Sequence, residues 1–160
     1  MERVASDEDQ RAARDERLLA ICVELATRAH DGQVDRSGHP YIGHPMRVMA
    51  RVRDPRAKMA AVLHDVLEDS ALTSSDLLDR GVPDDVIAAV ETLSKRAGES
   101  YEAFVQRIAV SGDPIALQIK RADIADNSDP ARLAQLDEET RDRLAAKYRR
   151  GLEILDGSDR

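Results

Sequence analysis

Met59-Ala60-Ala61-Val62-Leu63-His64-Asp65-Val66-Leu67-Glu68-Asp69 is the stretch on which the reading of this chain turns. Met59, Val62, Leu63, Val66 and Leu67 recur at steps of three and four, the spacing of one apolar helix face. On such a helix Glu68 lies four residues after His64 and three after Asp65, and Asp69 lies four after Asp65. The polar side chains therefore share a broad face of their own. Asp54 is a natural N-cap, with Pro55 at the first helical position. Ionisable groups flanked by core residues are costly unless they are paired or bind a cation. An adjacent His and Asp can both reach one metal, and a carboxylate one turn later can hold a water. For an isolated His-Asp pair a solvated helix end is the simpler reading; the longer string narrows the choice.

Helical spacing continues on both sides. Leu18, Leu19, Cys22, Val23 and Ala26 predict a helix over about 15–30, and Met46, Val48, Met49 and Val52 another. Thr73 to Asp76 resembles a capping box, Pro83 and Ser100 open further helices, and Asp113-Pro114 and Asp129-Pro130 are helix starts. A last helix is expected over about 138–155. The stretch from Asp31 to Pro45 holds Gly32, Gly38, Pro40, Gly43 and Pro45 and must be a long loop, a class of segment that is more often functional than idle. No segment alternates with period two between hairpin turns. The expectation is an all-α, single compact helical bundle of seven to nine helices. Its organisation reads as a flexible N-terminal segment 1–14, a domain 15–156 and a polar tail 157–160.

The bulk properties set limits. The chain has 160 residues, which favours one domain. Three Tyr, one Phe and no Trp leave little from which to build a base-stacking platform. The net charge of −7 argues against general nucleic-acid or anionic-membrane binding but not against one small anionic substrate. The lone Cys22 excludes an intrachain disulfide and fits a reducing cytoplasm, and its apolar neighbours mark it as a core residue. No apolar run approaches the ~20 residues of a membrane span, and the first residues carry no signal-peptide pattern.

All four histidines lie between positions 30 and 64. In Gly38-His39-Pro40-Tyr41-Ile42-Gly43-His44-Pro45 the two prolines stiffen the chain around His44. In Lys120-Arg121-Ala122-Asp123-Ile124-Ala125-Asp126-Asn127, Lys120, Asp123 and Asn127 fall at i, i+3 and i+7 on one helix face. Ala29-His30-Asp31-Gly32-Gln33, Pro40 to Pro45, Ala61 to Asp69, Leu93-Ser94-Lys95 and Ile119 to Asp123, in that order, resemble the HD-domain metal-dependent phosphohydrolases. The likeness is to the hydrolase domain of the RelA/SpoT homologues and to the small alarmone hydrolases, and it runs through roughly residues 20–135.

That resemblance implies an all-helical fold and one divalent metal, usually manganese, held by His44, His64, Asp65 and Asp123. It assigns catalysis to Glu68 and Asp69 and places Asn127 near a nucleotide. Lys120 and Arg36 are the first choices to neutralise phosphates, ahead of Arg47, Lys95 and Arg121. His30 and Tyr41 read as structural, and His39 as an exposed loop residue. The implied reaction is hydrolysis of the 3′-pyrophosphate of ppGpp or pppGpp, giving GDP or GTP and pyrophosphate. Two departures from the family pattern fall where a nucleotide would be gripped. The usual Arg-Lys pair before the Pro-Tyr-Ile-x-His-Pro segment is Asp35-Arg36 here, and the Arg-Leu-His-Asn run after the last metal-binding Asp keeps only its Asn, Asn127. Another nucleotide (ppApp, the 2′-phosphate of NADPH, a nucleotide monophosphate) and a non-catalytic nucleotide-binding module are the alternatives. Homologous hydrolases are often assemblies, and a homo-oligomer stays open.

Overall fold

The computed structural model describes residues 6–157. The helices in chain order are α1 (Asp7–Ala29), α2 (Gly43–Ala50), α3 (Pro55–Leu63), α4 (Val66–Asp69), α5 (Ser74–Asp79), α6 (Asp84–Thr92), α7 (Tyr101–Val110), α8 (Pro114–Asn127), α9 (Pro130–Leu133) and α10 (Glu138–Gly157). Two of them, α4 and α9, are single four-residue turns. Among the described residues there is no strand, only an isolated antiparallel bridge between Val34 and Pro40. The all-α expectation holds. No helix among these residues is long and apolar enough to cross a membrane.

The caps read from sequence are in place. Asp54, Thr73, Ser100, Asp113 and Asp129 each accept from a backbone N–H of the first turn, and Thr73 with Asp76 closes a capping box. One cap was not read. Ser6 and Asp9 form a second capping box, so α1 begins at Asp7 rather than near residue 15. This corrects the expected flexible start for residues 7–14, which are helical. Their polar composition hid a solvated helix whose satisfied cap needs no apolar face. Residues 1–5 and 158–160 of the expected N-terminal segment and tail lie outside the described residues.

Helix α3 is the axis of the molecule. Ala57 and the run Met59 to Leu63 are buried, so α3 is apolar nearly all round and packs against α1, α2, α6 and α8. Each such Met, Val or Leu side chain contributes about 1.5–3 kcal/mol by leaving water. Cys22 lies fully buried in this core, and burial pushes its thiol up to about 12. A smaller apolar cluster of Val105, Ala109, Ile124, Ile154 and Leu155 docks α10 onto α7 and α8. Gly151 permits that docking, because a Cβ there would lie 2.5 Å from the Tyr101 hydroxyl and 3.0 Å from Ile124 Cδ1.

Candidate metal centre

The helix expected to run through residues 55–69 breaks in the middle. α3 stops at Leu63, His64 and Asp65 form a turn, and α4 resumes at Val66. His64 Nδ1 donates to the Ala61 carbonyl at 2.6 Å, inside the last turn of α3. On a continuous helix adjacent side chains diverge by about 100°. The break lets both His64 and Asp65 face the same point, with Val62, Leu63 and Val66 buried behind them.

Two other elements bring partners to that point. His44 stands in the first turn of α2, and Asp123 projects from the middle of α8. His44 Nε2 lies 2.9 Å from Asp123 Oδ1 and 3.8 Å from Asp65 Oδ2. His64 Nε2 lies 3.0 Å from Asp65 Oδ2 and 3.6 Å from Asp123 Oδ1. Both histidines are buried. Each has an oxygen acceptor on Nδ1, Asp126 for His44 at 2.7 Å and the Ala61 carbonyl for His64 at 2.6 Å. An acceptor on Nδ1 puts the proton there and turns the Nε2 lone pair of a neutral ring inward.

The donor set fits a divalent cation. His44, His64 and Asp65 each offer a ligand atom within 4.8 Å of the others. His64 Nε2 is buried with no aligned hydrogen-bond partner, the kind of orphan that needs an explanation. Two imidazoles and two carboxylates converge there. Burial opposes charge on His64, but Asp65 and Asp123 outweigh it and hold the imidazole well above its ordinary value. Burial likewise opposes ionised Asp123, and Lys120 and the two imidazoles outweigh it, so the carboxyl stays well below its ordinary value. Asp65, held down by His64 against its own burial, sits at about 2. A bound cation would take the place of the imidazole protons opposite these carboxylates.

The candidate acids flank this centre. Burial, then Asp65 and Asp69, push the Glu68 carboxyl up, while the Lys95 N–H that it accepts works the other way. Burial and Asp65 raise Asp69 as well. Gln33 donates from its amide to the Asp69 carbonyl at 2.8 Å and accepts on Oε1 at 2.8 Å from His30 Nδ1, so His30 and Gln33 tie the end of α4 to the end of α1.

The three proposed substrate residues take different places. Lys120 Nζ donates to Asp123 Oδ2 at 2.8 Å, and Asn127 Nδ2 donates to Asp123 Oδ1 at 2.8 Å. Lys120, Asp123 and Asn127 thus do share one face, and the first and last buttress the middle one. Arg36 is exposed and lines a cavity of about 950 Å³ beside the centre, together with Arg47, Arg51, Arg132, Asn127 and Tyr148. A smaller recess of about 170 Å³ holds the centre itself, with Glu68, Lys95, Lys120 and Lys147 on its walls.

Sequence reasoning missed several members. Tyr41 packs against His30 and His44 as expected, but its hydroxyl also donates to Asp65 Oδ2 at 2.5 Å. Lys147 and Tyr148 arrive from α10, which sequence spacing gave no reason to place there. Asp126 also belongs to the site, and its place one turn after Asp123 is the sequence signal for it. Asp35 closes its own loop: its Oδ1 accepts from the Ser37 and His39 N–H groups at 2.9 and 3.0 Å, and Gly38 takes a φ of +85°.

No protein-family model matches the chain. It is 34% identical over 149 residues to a GTP pyrophosphokinase of Streptomyces coelicolor, covering 86% of this chain and 17% of that protein. It is 43% identical over 75 residues to a guanosine-3′,5′-bis(diphosphate) 3′-pyrophosphohydrolase of Vibrio cholerae, covering 44% of this chain and 10% of that protein. The chain thus spans about a sixth or less of the length of these relatives. A solved structure of a metazoan ortholog of SpoT, reported to hydrolyse ppGpp and to play a role in starvation responses, superposes with a TM-score of 0.74. That match covers 98% of this chain and 90% of the other at 23% identity, and it establishes the fold. The resemblance to the hydrolase domain of the RelA/SpoT homologues stands on these findings.

Proposed function

We propose that this chain is a metal-dependent hydrolase that removes the 3′-pyrophosphate of ppGpp and pppGpp, giving GDP or GTP and pyrophosphate. The observation that carries the reading is the convergence of His44 Nε2, His64 Nε2, Asp65 and Asp123 beside the raised carboxyl of Glu68. The names of the relatives supply the substrate class. The hydrolase unit is residues 15–156, lengthened at its start by the first turns of α1.

His44, His64, Asp65 and Asp123 hold the cation, and a mixed nitrogen and oxygen set of this kind suits Mn²⁺. A cation held there would acidify a nearby water and polarise a phosphoryl oxygen. Glu68 takes the proton as the water oxygen attacks the phosphorus on the 3′ oxygen. Its Lys95 N–H bond fixes its direction, and its raised pKa brings it nearer the operating range of a general base. Asp69, also raised, returns a proton to the departing 3′ oxygen. Lys120 balances Asp123 and presents charge to the phosphates, Asn127 fixes Asp123, and Arg36 reaches the nucleotide from the cavity rim. A nucleotide substrate and the buried thiol of Cys22 fit a reducing cytoplasm.

The test is a panel of ppGpp, pppGpp, ppApp and NADPH incubated with the purified protein and Mn²⁺, with products separated by chromatography. Pyrophosphate with GDP from ppGpp is the expected result. Orthophosphate from NADPH, or no turnover of ppGpp, would overturn the assignment.

A further inference from the structure

Asp126 is buried and accepts from the ligand candidate His44 without being one of the four ligand candidates itself. Its neighbours explain why a charge is tolerated there. Oδ2 accepts from His44 Nδ1 at 2.7 Å, and Arg47 Nε donates to Oδ1 at 2.9 Å and to Oδ2 at 3.2 Å. Arg132 Nη1 stands 3.6 Å from Oδ2, and Arg51 Nη2 stands 4.0 Å from Oδ1. Two helix faces meet here. α2 and its C-cap present His44, Arg47 and Arg51 at i, i+3 and i+7, and α8 presents Asp123 and Asp126 one turn apart. The two aspartates straddle a single imidazole, Asp123 on Nε2 at 2.9 Å and Asp126 on Nδ1 at 2.7 Å.

We propose that Asp126 is a positioning residue for the metal centre: it fixes the tautomer and direction of His44 and links that ring to Arg47 and Arg132 of the adjoining cavity. The inference rests on the metal-centre reading. With Asp123 given to the cation, Asp126 is the carboxylate left to accept from His44, which keeps the proton on Nδ1 and the Nε2 lone pair free for the cation. Three arginines share the charge of Asp126, so losing one of them leaves the carboxylate on His44. Tying α2 to α8 is the plain structural alternative, and it makes a different forecast. An amide at position 126 puts an NH₂ group where one of the two oxygens stood, so it faces either His44 Nδ1 or the Arg47 Nε that Oδ1 accepts from now.

Binding of Mn²⁺ alone, followed by calorimetry, separates these cases in the wild type, Asp126→Asn and Arg47→Ala, with the absorption spectrum of the Co²⁺ form as a second readout. The expected result is a loss of Mn²⁺ affinity of roughly 10–100-fold and an altered Co²⁺ spectrum in D126N. R47A, which removes a tie between the helices but leaves the carboxylate on His44, should stay within about threefold of wild type by the same reasoning. Equal affinities in D126N and wild type, or equal losses in the two variants, would overturn the proposal. Should D126N fail to fold, ¹⁵N-histidine NMR of the wild type with Zn²⁺ decides: a proton on Nδ1 of His44 is expected, and a proton on Nε2 contradicts it. A wild type that binds no Mn²⁺ at all would remove the metal-centre reading itself, a result distinct from any failure of D126N alone.

Discussion

Two polar clusters, one lining the recess and one holding the loop that brings Lys95 to its edge, are built on opposite terms. In the α6–α7 connection Arg107 donates Nε to Glu99 Oε1 at 2.8 Å and Nη2 to Glu99 Oε2 at 3.0 Å. Its remaining donors reach the Thr92 and Ser94 carbonyls at 3.0 Å each. Donors and acceptors match, and one positive charge meets one negative charge. At the centre of His44, His64, Asp65 and Asp123, imidazole nitrogens and carboxylates face one another at 2.9–3.8 Å, and His64 Nε2 is left without an aligned partner. A closed network holds a loop; an open one of this charge is arranged to take something else. The two are joined, because the loop that Arg107 clamps delivers the Lys95 N–H to Glu68.

Removing a member of the open cluster should cost function far more than stability. His64→Ala should lower Mn²⁺-dependent hydrolysis by roughly a thousandfold or more while the helical circular-dichroism spectrum survives; a variant that keeps wild-type turnover would break the comparison. Glu68→Gln comes next, with kcat down by roughly 10²–10⁴-fold and Mn²⁺ affinity nearly unchanged, as measured by steady-state kinetics alongside calorimetry. In the closed cluster the order reverses. Arg107→Ala should lower unfolding stability by about 2–4 kcal/mol in a denaturant titration, since it strands Glu99 and two carbonyls. It should also lower kcat through the loosened Lys95–Glu68 bond. Unchanged stability would show that the clamp is ornamental.

The smallest effect is a pH dependence. The Arg107 hydrogen bonds hold the Glu99 carboxyl at about 2 against an ordinary 4.5. A depressed folded pKa adds stability above the unfolded value, and that stability is lost as pH falls from 4.5 toward 2. The stability gap between wild type and Glu99→Gln should therefore be widest above pH 5 and close by about pH 2. A gap that stays constant across this window would contradict the assignment.

These clusters also differ in how far they could be read in advance. The open one was legible, because His64-Asp65, the proline-flanked His44 and the i, i+3, i+7 face of α8 are local patterns. What spacing hid was the break at His64: a side-chain bond to the Ala61 carbonyl ends α3 early, and no apolar periodicity reports that. The closed cluster was not legible, since Arg107 and Glu99 are ordinary charges until the backbone between them folds back. The cavity was the least legible part. It is assembled from the 31–42 loop, α2, α9 and α10, which are distant in sequence, and its arginines come from three separate stretches. Asp35 departs from the expected basic residue because here it closes a turn. The α1 start was missed for the opposite reason, a solvated helix held by a cap instead of a core.

The central claim is that one cation bound by His44, His64, Asp65 and Asp123 runs the hydrolysis of ppGpp. Its most direct test measures Mn²⁺ stoichiometry and pyrophosphate release from ppGpp in the same preparations of wild type and Asp65→Ala. The account predicts one Mn²⁺ per wild-type chain with Mn²⁺-dependent release, and the loss of both in D65A. Retention of both by D65A would contradict it.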